Sequence, residues 1–416
     1  MTGINPEILV WARREAGLEL HEAAAKIRID QDRLAQMERG NAHPSHSDLH
    51  NFAKAYRRPV LTFYLADIPR KSDYGADFRG RTTEFDPEQR VLLEALLRNA
   101  KASQELIRAT MELEEEYNPI EFVGSLRRSW DLPNESGRMG RAIKTLSSQE
   151  RHRLLRDALM GLDSVLGAGC TREQFREQPG PKSAFKLLRS ACERAGVFVT
   201  LKGDLGSHHS ALSTDLFRAF VIADTIAPYM VINSHDSAPA RSFSILHEVV
   251  HLHLDQSGVS DSEPSSPVES FCNRVAGEWL LPSDSLRELW NSPDRSMAEL
   301  QEFVSSIARR RNLSHAMVAV RLHQEGLIEE GVHAQLMAHF RRMWEESRQR
   351  ERDQRRARKG GPSFYQVRRS HLGEGTLQFA RRMMQSHHLA VTKAAVILSV
   401  KPGQVAELLK RSDTVR

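Results

Sequence analysis

The chain has 416 residues, 40% hydrophobic and 27% charged, a composition that excludes a fibrous or wholly disordered protein and fits two or three domains of about 150 residues each. No stretch approaches the roughly 18 uninterrupted apolar residues of a membrane span, and the N-terminal MTGINPEILVWARRE lacks the apolar run of a secretory signal. Three cysteines, Cys170, Cys192 and Cys272, are too few for a disulfide framework and suit a reducing compartment, so a cytoplasmic protein without a membrane partner is expected.

Residues 5–65 read as short helices, PEILVWARREAG, LHEAAAKIRI, DQDRLAQMERG and SHSDLHNFAKAYRR, each with apolar residues three and four apart. Pro6 suits a first turn, and Gly17 and Gly40 suit helix ends. A loop follows, and a long amphipathic helix is expected from about Val91 to Glu116. Further helices are expected at about 120–165 and 181–195.

Strand character enters only with GVFVTL (196–201), LFRAFVIAD (216–224) and YMVINS (229–234), rich in β-branched and aromatic residues and closed by turn formers. Helices at 241–256 and 267–281 come next. The pattern is an α+β fold, mostly helical, with a small sheet feeding two helices. The charged run RRMWEESRQRERDQRRARKGGP reads as a solvated helix end and linker before a last helical module. The domain division expected is 1–68, 69–180 (a helical linker or brace), 181–335, 336–362 (the charged linker) and 363–416.

Charge is unevenly distributed along this order. Residues 1–65 hold nine basic and eight acidic side chains, whereas residues 341–416 hold eighteen basic and seven acidic. The cationic tail, with Arg368, Arg369, Arg381 and Arg382, is therefore a candidate surface for nucleic acid or an acidic partner.

The most informative stretch is SFSILHEVVHLHLD, residues 242–255. Positions four apart share a helix face, so His247 and His251 can offer imidazole nitrogens to one ion, with Glu248 beside them as a base. Catalytic zinc takes three protein ligands. His253, about 200° around from His251, and Asp255, one turn too far along, are poorly placed and read as surface or supporting residues. Glu269, in VESFCNRVAGEWLLP, sits on the inward edge of the next helix and is the better third candidate. Its alternative reading is an acidic residue favoured by the dipole of a helix N-terminus. Tyr229, His208 and His209 are weak candidates for an oxyanion donor, Asn233 for ordering the loop before the metal helix, and Cys272 reads as a buried small hydrophobe.

FRAFVIADTIAPYMVIN, RSFSILHEVVHLHL, VESFCNRVAGEWLLP and VRLHQEGLI together resemble the ImmA/IrrE-type metallopeptidases, in the long form with an N-terminal Xre-family helix-turn-helix. The resemblance covers about residues 185–330 well and the ends more loosely. It implies a zincin-like central domain in which His247, His251 and Glu269 hold Zn2+ and Glu248 is general base and acid. Val250 departs from the pattern, which commonly has Gly or Ala before the second histidine, and its bulk is expected to narrow the cleft.

LHEAAAKIRIDQDRLAQMERG resembles the Xre-type motif, whose second helix enters the major groove. That helix is expected to start after Asp30 as N-cap, with Gln31, Arg33 and Gln36 toward bases and Arg39 near phosphate. Leu20 stands where the family usually has a phosphate-contacting Gln, and Arg28 replaces the usual turn Gly. The implied function is a zinc-dependent regulatory endopeptidase. Its expected partners are a repressor or other protein substrate, operator DNA and a co-encoded toxin, with self-association a further option. The alternative is a non-catalytic transcription regulator or antitoxin component that uses the same fold as a sensor or scaffold.

Overall fold

The computed structural model describes residues 4–56, 58, 62–63, 87–113, 117–205, 210–260, 266–290, 295–357 and 361–410. It divides into two compact units, one of residues 1–99 with 204–212 and one of residues 100–203 with 213–416. Among the described residues no helix is long and apolar enough to cross a membrane.

The first unit opens with helices Pro6–Glu15, Leu20–Ile27, Gln31–Glu38 and His46–Ala55. Side chains fix all four starts, the second through Glu22, which accepts from Glu19 N at 2.9 Å. Asn5 accepts from Glu7 N, Asp30 from Asp32 N and Arg33 N, and Ser45 forms a capping box with Asp48, each worth about 1 kcal/mol. The apolar stripes meet in a core of Ile8, Leu9, Ala23, Ile27, Leu34 and Phe52. Arg13 ties this core internally, donating to Glu38 at 2.7 and 2.9 Å and to the Leu18 carbonyl at 3.0 Å.

The turn between the second and third helices passes through Arg28 at φ 63°, ψ 44°, a left-handed conformation. The glycine expected at this turn is thus absent while its backbone geometry is kept, at a cost of about 1–2 kcal/mol for a residue with a Cβ. Arg28→Gly is accordingly expected to raise stability by about 1 kcal/mol, read as a higher urea midpoint with an unchanged m-value. A lower midpoint would mean that the Arg28 side chain stabilises more than its backbone costs.

In the second unit, four strands form one sheet in the order β1–β3–β2–β4: β1 is Phe198–Lys202, β2 Ala219–Ile222, β3 Tyr229–Asn233 and β4 Gly258–Ser260. β1 and β3 run parallel from Phe198↔Tyr229 to Lys202↔Asn233. β2 is antiparallel to both β3 and β4. β4 lies in a Gly-Val-Ser segment too short and too polar in context to be read as a strand.

β3 is buried at all five positions and β1 at four, the mark of a sheet covered on both faces. Val199, Leu201, Ala219, Val221, Met230 and Ile232 point into the main core with helices Pro181–Arg194 and Ala238–His253. On the alternate positions, Phe198 packs edge-on against Phe379 at 5.3 Å, and the Tyr229 hydroxyl lies 3.2 Å from Thr200 Oγ1.

Phe379 belongs to the last helical module, Phe364–Leu372, Glu374–Gln385, Val391–Ile397 and Val405–Leu409, which packs on β1 and on helix Pro181–Arg194. Its joint is Arg189, 7% exposed. Arg189 donates to the Val199, Ser370 and His371 carbonyls and to Glu193, while Glu193 accepts from Gly375 N. Three of the four arginines expected to form a cationic surface here are engaged within the module. Arg368 serves the Leu398 and Ser399 carbonyls, Arg369 those of Glu407, Leu408 and Lys410, and Arg381 that of Leu409 and the Glu374 carboxylate. Guanidinium donors that satisfy orphaned helix-end carbonyls are committed to the fold rather than offered to phosphates.

Candidate metal centre

Two adjacent helices build the site. Ala238–His253 starts at Ser237, whose side chain accepts from Ala240 N at 3.3 Å, with a proline in the first turn. This cap sets the start three residues earlier than hydrophobic periodicity suggests. Asn233, fully buried, holds the approach: its amide donates to the Ser213 and Phe217 carbonyls, and its oxygen accepts from His235 N. Pro267–Leu280 starts at Ser266, which accepts from Glu269 N at 3.2 Å, so Glu269 falls in the first turn. Trp279 anchors the other end, edge-on to Phe175 at 5.8 Å and donating to Asp163 at 2.8 Å.

The two helices pack together and bring three side chains to one point. His247 Nε2 lies 3.0 Å from His251 Nε2 and 3.1 Å from one Glu269 oxygen, and His251 Nε2 lies 3.2 Å from the other. Three tetrahedral donors at about 2.0–2.1 Å from one ion stand about 3.3 Å apart. Imidazole lone pairs and a carboxylate facing one another need a shared cation, so this donor set fits a divalent metal. His247 Nδ1 is buried with no hydrogen-bond partner and the ring lies 6.2 Å from that of Phe243, so packing rather than an acceptor orients it.

Electrostatics agree with the geometry. Burial alone would push the Glu269 carboxyl up, yet His251 and His247 hold it well below the usual carboxylate range. For His251, burial opposes the charged form, but Cys272 and Glu269 outweigh it and raise the imidazole well above its usual value. Cys272 is fully buried beside His251, and burial raises its thiol while His251 opposes the rise. Glu248 is also fully buried.

The remaining sequence candidates fall elsewhere. His253 is not at the surface: it is 3% exposed, its Nδ1 lies 2.8 Å from Ser125 Oγ, its ring packs on Phe122, and burial lowers it to about 4. Asp255 turns away at φ 56° and pairs with Arg127 at 3.2 Å. The Tyr229 hydroxyl is committed to Thr200. His208 and His209 lie outside the described residues. Val250 is fully buried in the main core, which absorbs its bulk.

Arg321, from the VRLHQEGLI stretch, is 2% exposed and donates to Glu278, Ser283 and the Leu281 carbonyl. It locks the end of the Glu269 helix, a role that its position in a helical pattern gave no sign of. A cavity of about 610 Å³ opens beside that helix, with Ser266, Ser270, Lys144, Arg151, His152 and Arg274 in its wall and no carboxylate among its lining residues.

In the first unit, Gln31, Arg33, Gln36 and Arg39 are all exposed on or at the end of helix Gln31–Glu38. Arg33 reaches Asp48 at 2.9 Å, and Asp48 also accepts from Ser45 N and Oγ.

Two imidazoles and a carboxylate converging from a helix pair on a small sheet define a metallopeptidase-like domain, in a chain whose first helices have the helix-turn-helix arrangement. Residues 192–323 match the family model of the IrrE N-terminal-like domain, and residues 9–61 match that of a helix-turn-helix domain. The chain thus combines the two parts of the ImmA/IrrE plus helix-turn-helix architecture. Comparison with curated proteins and with solved structures gives no match.

Proposed function

We propose that the protein is a cytoplasmic, zinc-dependent regulatory endopeptidase that acts on a repressor or partner protein and is coupled to a DNA-binding domain. The observation that carries this reading is the convergence of His247, His251 and Glu269 within about 3 Å, beside a buried Glu248. His247, His251 and Glu269 would hold the ion, which would supply Lewis-acid polarisation of a scissile carbonyl and of water. Glu248 takes the proton of the attacking water and returns it to the leaving amine, while the apolar packing around it excludes bulk water. The neighbouring cavity joins apolar Ile143, Leu154, Leu155 and Phe271 to Lys144, Arg151 and Arg274 with no carboxylate among its lining residues, which favours a substrate segment with an apolar side chain beside an acidic one. The test is zinc content by elemental analysis, followed in parallel with cleavage of a repressor encoded beside the gene. A protein with no zinc after zinc is supplied, and no cleavage, would overturn the reading.

A second reading is favoured by how closed the site is: His247, Glu248 and His251 are only 3%, 0% and 5% exposed. A non-catalytic regulator or antitoxin component would use the same domain as a sensor or scaffold. Neutralisation of a co-encoded toxin that is unchanged in Glu248→Gln would support it.

For the helix-turn-helix we propose that Gln31, Arg33 and Gln36 read operator bases and that Arg39 contacts phosphate. Arg33→Ala removes only an exposed ion pair from the fold, worth at most about 1 kcal/mol, because Ser45 still holds Asp48. Its affinity for a site in the protein's own promoter is expected to fall roughly 5- to 100-fold at fixed salt, measured by fluorescence anisotropy. Unchanged affinity would remove Arg33 from the interface.

A further inference from the structure

We infer a second divalent-metal site, formed by His323, Glu330 and His333 at the turn between helices His315–Gln324 and Glu330–Ala357. It is independent of the proposed peptidase activity, and Glu330 and His333 lie beyond the segment matched by the IrrE-type model.

The turn brings the three together. His323 is in the last turn of the first helix, Gly326 takes a left-handed φ of 67°, and Glu330 and His333 are three apart in the first turn of the next. A Glu and a His at that spacing project to one side. Ile328, Leu336 and Phe340 are buried against the main core, which fixes the second helix relative to the first.

His323 Nδ1 lies 3.3 Å from the Ile328 carbonyl, which only accepts, so this nitrogen carries the proton. Its Nε2 is then free to donate a lone pair, and it faces a Glu330 oxygen at 3.0 Å. Outer-shell hydrogen bonding of one ring nitrogen to a backbone carbonyl is the usual way a histidine ligand is oriented. His333 stacks on His323 with centroids 4.8 Å apart and planes 12° from parallel, and its Nδ1 lies 3.8 Å from the other Glu330 oxygen. Neither ring nitrogen of His333 has a hydrogen-bond partner, although both are buried.

An N-terminal glutamate favoured by the helix dipole explains Glu330 alone. One cation explains all three residues. Two imidazoles and one carboxylate select a borderline transition ion such as zinc over calcium or magnesium. The Glu330 side chain is 76% exposed, so the ion enters from solvent and exchanges readily. Bound there, it clasps the turn and fixes the direction in which helix Glu330–Ala357 leaves the domain.

The test is equilibrium dialysis of the metal-stripped full chain against zinc. About two ions per chain are expected in wild type, about one in His247→Ala/Glu269→Ala, and none when His333→Ala or Glu330→Ala is added to that pair. Glu330→Ala changes an exposed side chain and so keeps the fold, which circular dichroism checks. A second zinc that survives both His333→Ala and Glu330→Ala overturns the inference, as does wild type that binds one ion lost with His247 and Glu269. A single ion lost only with His333 or Glu330 keeps this site and instead refutes the peptidase reading.

Discussion

Glu248→Gln is expected to lower cleavage of the protein substrate by about 10²- to 10⁴-fold while bound zinc at the first site stays at about one per chain. The side chain is fully buried beside His247, and Gln has nearly the same shape, so packing and the three ligands are preserved. What is lost is a group able to take a proton from water and to give one to the leaving amine, and no other carboxylate described at the site replaces it, because Glu269 is engaged by both histidines. Cleavage followed by mass spectrometry, with metal content from the same sample, separates the two effects. Equal cleavage rates in the variant and wild type would remove Glu248 from the chemistry. Loss of zinc with activity would give it a structural part instead.

The second large effect is expected for Glu269→Ala, which should lose first-site zinc under dialysis conditions where Asp255→Ala keeps it. Glu269 faces both Nε2 atoms, whereas Asp255 is turned away onto Arg127. In the metal-free protein Glu269 and His251 face each other at 3.2 Å and each shifts the other, so the two titrate as a pair. Glu269 is held low, and its contribution to stability is present above the unfolded value of about 4.5 and lost as pH falls through the depressed one. His251 is held high, and its contribution is complete below about 6.5 and lost as pH rises through the raised value. The metal-free site is therefore most stable between those limits, and zinc must displace a proton there. Zinc affinity and the zinc-induced rise in Tm are expected to increase from about pH 5.5 to about pH 8 in wild type. The rise should be smaller in Glu269→Ala, which keeps only the second site. A pH-independent shift in wild type would mean that zinc does not compete with this proton.

The site was legible in the sequence to the extent that it depends on helical spacing. His247 and His251 four apart, and Glu269 on the inward edge of the following helix, are brought together in space. The helix-turn-helix was legible through its caps, above all Asp30. What could not be read was the destination of long polar side chains. Arg189, Arg321 and Arg369 look like solvated positions in an amphipathic pattern, yet each closes a joint by donating to backbone carbonyls of another segment. The angle of His253 around its helix excludes it from the ion but leaves open whether it is a surface or a supporting residue; in the structure Phe122 and Ser125 cover it. His323, Glu330 and His333 span a turn, where no single period links them.

The contact of Arg189 with β1 bears on how one margin of the sheet is covered. β1 lies at one edge of the sheet, and among the described residues its strand partner is β3. Its Val199 carbonyl is occupied by a buried guanidinium, Lys202 is tied to Ser399, and Phe198 lies under Phe379. The last helices therefore act as a guard on a strand that would otherwise be open to pairing with a neighbouring molecule. A chain shortened before residue 363 would gain a sticky sheet margin, and its Arg189–Glu193 pair would lose the Ser370 and His371 carbonyls and the Gly375 amide. Any loss of function it showed would report self-association before it reported a missing partner.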